Sequence, residues 1–238
     1  MRWLLLFVVL AGALVVVVAP YFVLPAVLEN LVAREAQDRL GLSEKPAVNL
    51  DSDPQWRMLL GEFSRGRIST GETDLGRVSA EDATLALDPF SVDVGESART
   101  GTLVPREPLS GDVQFRIAEA EITRLARQNA QVPVNEVELG GGGVTVNSEV
   151  SLLGTTLPVT VDGDVGVEGG DLAFRPEGLR AGGTRVPDAI AGTLLDETAF
   201  RHPVDGLPGG GAITGARTVD GAVVLTGRLD RIPLGRGG

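Results

Sequence analysis

From Trp3 to Leu28 the chain runs for 26 residues without a charge, preceded only by Met1 and Arg2. At about 1.5 Å rise per residue a helix of that length covers roughly 39 Å, enough to cross a hydrocarbon core of about 30 Å. Everything after it is therefore read as lying beside a membrane. The unbroken part before Pro20, Trp3 to Ala19, has 17 residues, against about 7–15 for a secretory h-region. The expectation is a retained signal-anchor over residues 1–28, a single transmembrane helix. Ala11-Gly12-Ala13 has the small residues of a cleavage site, so secretion after cleavage is the alternative. Cutting there would leave Leu14 to Val18 as an apolar new N-terminus. With no cysteine in the chain, a lipidated N-terminal Cys is excluded. Arg2 and the amino group stand on one side, and the mixed set Glu29, Arg34, Glu35, Asp38 and Arg39 on the other. The positive-inside rule then places the N-terminus inside and the following 210 residues outside the cytoplasm, at the cell membrane.

Residues 29–238 are enough for one large domain or two small ones with a real core, and are taken as one. A net charge of -11 argues against nucleic acid, which needs a surplus of cations to neutralise phosphates. It equally opposes a purely electrostatic hold on an anionic bilayer. Gly at 32 residues and Pro at 14 point to many tight turns between short strands.

Near the end of the run, Pro25 can begin a new helical segment in which Val27, Leu28, Leu31, Val32 and Leu40 form an apolar stripe, closed by Gly41. Such a stripe packs on the domain's own sheet or, in the second reading, lies on a membrane surface. After Ala47 to Leu50, Asp53 fits an N-cap and Pro54 a first turn. Trp56, Leu59, Leu60 and Phe63 then stand at i, i+3, i+4 and i+7, one face of a helix over 55–63. Aromatic stripes of this kind usually pack in a core; the alternative is a wall facing a ligand.

Arg67 to Ser69, Leu75 to Val78 and Ala83 to Leu87 read as strands, residues 95–108 as a loop, Asp112 to Ile117 as another strand, and Ala118 to Asn129 as a helix with Ile122, Leu125 and Ala126 inward. Val144, Val146, Val150 and Leu152, then Val159, Val161, Val165 and Val167, then Leu172 and Phe174, alternate as long strands between glycine turns. Pro187 to Glu197 reads as a third helix with Ile190, Leu194 and Leu195 inward, and Asp220-Gly221 joins a last hairpin. The fold class expected is α+β: a curved, mainly antiparallel sheet covered by short amphipathic helices.

Chemistry finds little purchase. His202 is the single histidine and sits in a Pro-flanked stretch read as a loop, with no G-x-S-x-G elbow to pair with it. No G-x-x-x-x-G-K-[ST] cradle exists, and Gly209 to Gly215 leads toward a strand. Asp162, Asp164, Glu168 and Asp171 gather along a hairpin, and Asp51 and Asp53 beside a helix start, without an EF-hand order; they read as solvated edges and caps. No catalytic residue, metal ligand or cofactor is expected.

What remains is apolar surface that either fills a core or lines a groove. Burying a methylene is worth about 0.8 kcal/mol, so some eight methylenes of an acyl tail give about 6 kcal/mol. A headgroup contact is worth about 1 kcal/mol per basic residue, and the net charge opposes it. A lipid held by this chain would be held by its tails.

Three stretches carry a family likeness: Asp53-Pro54 with Trp56 and Leu59-Leu60-Gly61; Ser110-Gly111-Asp112-Val113 to Arg116 running into Ala118-Glu119-Ala120-Glu121-Ile122; and Leu207-Pro208 with the Asp220-Gly221 hairpin. In this order they resemble the LmeA-like phospholipid-binding family of actinobacterial envelope proteins, over about residues 26–234. The resemblance implies an elongated lipid-binding domain, of the kind compared with tubular lipid-binding proteins, that handles phospholipid or lipid-linked glycan. It implies no catalytic residue and brings no residue-level binding signature. The expected groove wall is Trp56, Leu59, Leu60 and Phe63 with Ile122, Leu125, Ile190 and Leu194. A scaffold domain for envelope-biogenesis enzymes, with a filled core and no groove, is the alternative.

Overall fold

Leu109, Gly111, Val113, Phe115 and Ile117 are buried, while Ser110, Asp112, Gln114, Arg116 and Ala118 between them are exposed or half-exposed. Side chains of a strand alternate between faces, so this one segment carries an inner and an outer side. The same rule organises most of the chain. The computed structural model describes residues 26–232 except 39–41, 43, 76–77, 130–132, 153–154, 188–190, 193–194, 196–197, 204–206 and 208–210. The signal-anchor expected over 1–28 therefore lies almost wholly outside the described residues. Among the described residues no helix is long and apolar enough to cross a membrane.

In chain order the elements are a helix over residues 26–38 (α1), Ala47–Asp51 (β1), a 3-10 helix Gln55–Leu60, Glu62–Phe63 (β2), Arg65–Thr70 (β3), Thr73–Leu75 (β4), Val78–Ala80 (β5), Asp82–Leu87 (β6), Phe90–Ser91 (β7) and Val94–Thr100 (α2). Then come Leu109–Ala118 (β8), Glu119–Asn129 (α3), Val134–Gly140 (β9), Gly143–Leu152 (β10), Thr155–Glu168 (β11), Asp171–Ala181 (β12), Thr184–Arg185 (β13), Phe200–His202 (β14), Ala212–Val219 (β15) and Ala222–Ile232 (β16). The sheets follow the orders β1-β3-β6-β8-β16-β15 and β13-β12-β11-β10-β9, with β14 also on β12 and two small pairs, β2-β7 and β4-β5. The protein is thus α+β, mostly antiparallel sheet with a few short helices, and its sheets are not closed.

Two compact units emerge, Met1–Thr70 with Leu85–Gly111 and Asp230–Gly238, and Gly71–Thr84 with Asp112–Leu229. In the first, α1 buries Leu28, Val32, Ala33 and Ala36, one face of a 3.6-residue period. Glu29 Oε1 accepts a hydrogen bond from the Leu50 amide of β1 at 3.2 Å, and Glu35 Oε2 one from Leu103 N at 3.0 Å. The stripe therefore packs on its own unit, as the simpler reading expected, although Val27 is left 45 % exposed. Leu40 and Gly41 lie outside the described residues. The loop expected over 95–108 instead opens with α2, whose N-cap Asp93 accepts from Glu96 N at 2.8 Å and whose C-cap Gly101 is left-handed. Asp93 followed by Glu96 is a helix-start signal legible in the sequence.

In the second unit, β9 to β12 pair consecutively and antiparallel, with register shifts at Asn147/Ser148 and Asp162/Gly163, and turn at Gly141-Gly142 and Gly169-Gly170, all with positive φ. Gly163 marks a bulge in β11; a Cβ there would come within 2.3 Å of Arg175 O. The expected strand Leu75 to Val78 spans the end of β4 and the start of β5, which pair as a hairpin. Ala222 to Leu225 of β16 are buried at four successive positions, so both faces of that strand are covered. His202 belongs to β14, is buried, and pairs with Leu172 in register, so it is not a loop residue.

Helix α3 is fixed to its unit by its acidic first turn. Glu119 Oε2 accepts from Leu139 N at 2.7 Å, and Glu121 Oε1 from Ser79 N at 2.9 Å. Arg124 donates to Glu121 at 2.7 Å through Nε. That bond first, then the Ser79 amide and the nearby His202, holds the Glu121 carboxyl below the usual carboxylate range against the opposing effect of burial. A depressed folded pKa contributes stability above the unfolded value, and the contribution disappears as pH falls through the folded one. Glu121→Gln is expected to cost about 1 kcal/mol near neutral pH, part being returned because Arg124 is 42 % exposed. The gap between variant and parent in urea midpoint should close on acidification below about pH 4; a gap independent of pH would contradict the assignment.

Candidate functional site

The turn at Gln55–Leu60 departs most from expectation. It is a 3-10 helix, opened by Pro54 with no side-chain cap, after a cis Asp53-Pro54 peptide, and none of its residues is buried. Asp53 caps nothing; its amide donates to Ser64 Oγ at 3.1 Å. At three residues per turn, Trp56 and Leu59 share a face and Leu60 stands about 120° away, so the four-membered α-helical face does not form. Trp56 is 49 % exposed, Leu59 36 % and Leu60 51 %. The reading of these three as core is corrected by their exposure. Phe63 sits beyond the turn, on β2, and is buried.

The base of this turn is rigid. Gly61 closes it with φ 77, and its carbonyl accepts a hydrogen bond from Val92 N at 2.8 Å. A Cβ at Gly61 would lie 2.2 Å from Val92 O. Buried Ser52 donates through Oγ to Glu62 O. On the neighbouring pair β2-β7, Phe63 faces Phe90, their rings stacked at 5.0 Å with an interplanar angle of 18°.

Between these parts lies an open cleft of about 310 Å³, walled by Phe63, Phe90 and Pro89 on its apolar side and by Arg57, Glu62, Ser64, Ser91 and Glu107 on its polar side. Arg57 joins cleft and turn. Its guanidinium lies 5.9 Å from the Trp56 ring centroid and 3.8 Å from Glu62 Oε2. Both partners of that ion pair are nearly half exposed, so it contributes little to stability and leaves the arginine available. The cleft stands at the low end of the roughly 300–1,000 Å³ of ligand pockets. It offers a small apolar surface with one cation and two carboxylates among its lining.

Of the expected wall, Phe63 lines the cleft, while Trp56, Leu59 and Leu60 stand exposed on the turn that also carries the cleft residue Arg57. Ile122 and Leu125 belong to the other unit, where both are buried under α3; Thr123 beside them accepts from Val137 N at 3.1 Å. Ile190 and Leu194 lie outside the described residues. Sequence reasoning missed Arg57, Pro89, Phe90 and Glu107. Asp88-Pro89 marked the end of a strand, but nothing local signalled that Phe90 would stack on a ring 27 positions earlier.

Among the described residues no group of three or more His, Asp or Glu side chains is arranged to hold a metal. Asp162 pairs with Arg180 at 2.9 Å, and Glu168 with Arg175 at 2.7 Å and with Arg201. The Arg175 hydrogen bond and then the Arg201 charge keep the Glu168 carboxyl below the usual range. Asp162 and Glu168 are thus held in ion pairs along β11, the central strand of its sheet.

A family model described as LmeA-like phospholipid-binding matches residues 19–228. The chain belongs to that family, whose description is of binding lipid and not of catalysis. No curated protein and no solved structure matches it.

Proposed function

We propose that this LmeA-like chain is a membrane-anchored envelope protein that binds phospholipid, or the lipid part of a lipid-linked glycan, by its acyl tails, and does so without catalysis. In this reading residues 1–28 hold it in the cell membrane with the remainder outside the cytoplasm. The observation that carries it is the exposure of Trp56, Leu59 and Leu60 on the turn whose Arg57 lines the Phe63–Phe90 cleft. Three large apolar side chains kept in water are unfavourable, and covering them with acyl chain would return about 1 kcal/mol each at half exposure. The family match supports a lipid as the covering partner. Arg57, beside both turn and cleft, is the group placed to meet a phosphate.

The test is uptake of a phospholipid labelled on its acyl chain by residues 26–238. Uptake with saturation near one lipid per chain is expected, and competition by unlabelled phospholipid should remove the signal. Protein that stays unlabelled at micromolar concentration would overturn the proposal.

A further inference from the structure

We infer that the Trp56–Leu60 turn also docks the protein on the lipid bilayer itself, inserting Trp56, Leu59 and Leu60 into its interfacial layer; this rests on the reading that residues 3–28 keep the chain at a membrane. The turn's place in the chain supports it. Leu28 ends the uncharged run, and the next residue, Glu29, accepts the Leu50 amide at 3.2 Å. Trp56 is six steps along the chain from Leu50, and extended chain spans at most about 3.6 Å per residue. Trp56 therefore stands within about 30 Å of the end of the run, near enough for both to meet one bilayer surface. Val27, 45 % exposed in the first turn of α1, adds apolar surface at that end.

The chemistry of the turn suits an interface. Tryptophan places an apolar ring and an N–H donor where hydrocarbon meets headgroups. Arg57 can lay its stem along the apolar layer and its guanidinium among phosphates. With a net charge of -11 the domain gains nothing overall from an anionic surface, so insertion has to be driven by apolar area and should be nearly insensitive to salt. A second copy of the chain is a poorer occupant. Three half-exposed side chains of this size offer roughly 300 Å², while a stable interface covers about 800 Å² per partner. Rigidity helps as well: Gly61 and Val92 fix the base, so little ordering is needed on docking.

The experiment uses the full chain carrying Trp3→Phe, which leaves Trp56 as its one tryptophan, reconstituted into phosphatidylcholine vesicles containing lipid brominated at shallow or deep acyl positions. Flotation reports association, and tryptophan emission reports the turn. Expected is blue-shifted emission, quenched more by shallow than by deep bromine, at a depth of about 5–10 Å. The quenching should rise with the brominated fraction of the whole bilayer and persist in high salt. Adding Leu60→Asp should roughly halve it, one of three inserted side chains being lost and a carboxylate set in its place. Quenching complete at one brominated lipid per chain would mean a bound ligand alone and overturn the docking while leaving lipid binding intact. Flotation without quenching would overturn the turn's role and keep the anchor. Failure to float would overturn anchor and docking together. A blue shift that grows with protein concentration and ignores bromine would assign the turn to a second copy and overturn the inference.

Discussion

Gly61→Ala is expected to lower stability by about 3 kcal/mol, with a drop in melting temperature of about 6–12 °C. Two costs add. Alanine in the left-handed region loses about 1–2 kcal/mol relative to glycine, and Gly61 has φ 77. The larger cost is steric, because the new Cβ would stand 2.2 Å from Val92 O. Val92 is fully buried and its amide is bonded to the Gly61 carbonyl, so neither backbone can retreat without breaking that bond. Gly101 supplies the control. It has φ 67, and nothing lies within 4 Å of the position its Cβ would take, so Gly101→Ala carries the conformational cost alone, about 1 kcal/mol. Equal effects at the two positions, read from urea midpoints, would contradict the steric argument.

The second large effect is on lipid. Leu59→Asp with Leu60→Asp should reduce acyl-labelled phospholipid uptake roughly 100-fold while the melting temperature holds. Both side chains are exposed, at 36 % and 51 %, so the fold has little to lose by their replacement. Covering each with lipid is worth about 1 kcal/mol, and a carboxylate at a half-exposed position costs about half as much again. A loss of about 3 kcal/mol corresponds to roughly a 100-fold weakening. Uptake equal to the parent's would remove the turn from the site. A large fall in melting temperature would instead show that these leucines support the fold, against their exposure.

Local patterns in the sequence accounted for much of the sheet. Period-two alternation marks β8 residue by residue, and Asp220-Gly221 and the paired glycines at 141–142 and 169–170 stand at turns as expected. The helix expected over 118–129 begins one residue later, at Glu119, with Ile122, Leu125 and Ala126 inward. Helix α2 was equally legible in Asp93, Glu96 and Gly101 but was hidden by the loop-like composition of the segment that follows it.

The turn at 55–60 failed for a different reason. Spacings of three fit a 3-10 and an α-helix alike, and only the later members of the pattern separate them. Leu60 would share the α-helical face with Trp56 and departs from it at three residues per turn. What settles the matter is the approach of Val92 to Gly61, a contact across 31 positions that no window of sequence contains. The Phe63–Phe90 stack behind the cleft is long-range in the same way. Apolar residues could be recognised as a face, but whether that face was filled by the protein or left open depended on partners distant in the chain.

The central claim is that the chain holds phospholipid by its acyl tails. Its most direct test is uptake of acyl-labelled phospholipid by residues 26–238, followed by lipid extraction and mass spectrometry of the complex. The predicted result is saturation near one lipid per chain, little changed between low and high salt because apolar burial dominates. Protein that recovers lipid-free, or binding that vanishes as salt is raised, would contradict it.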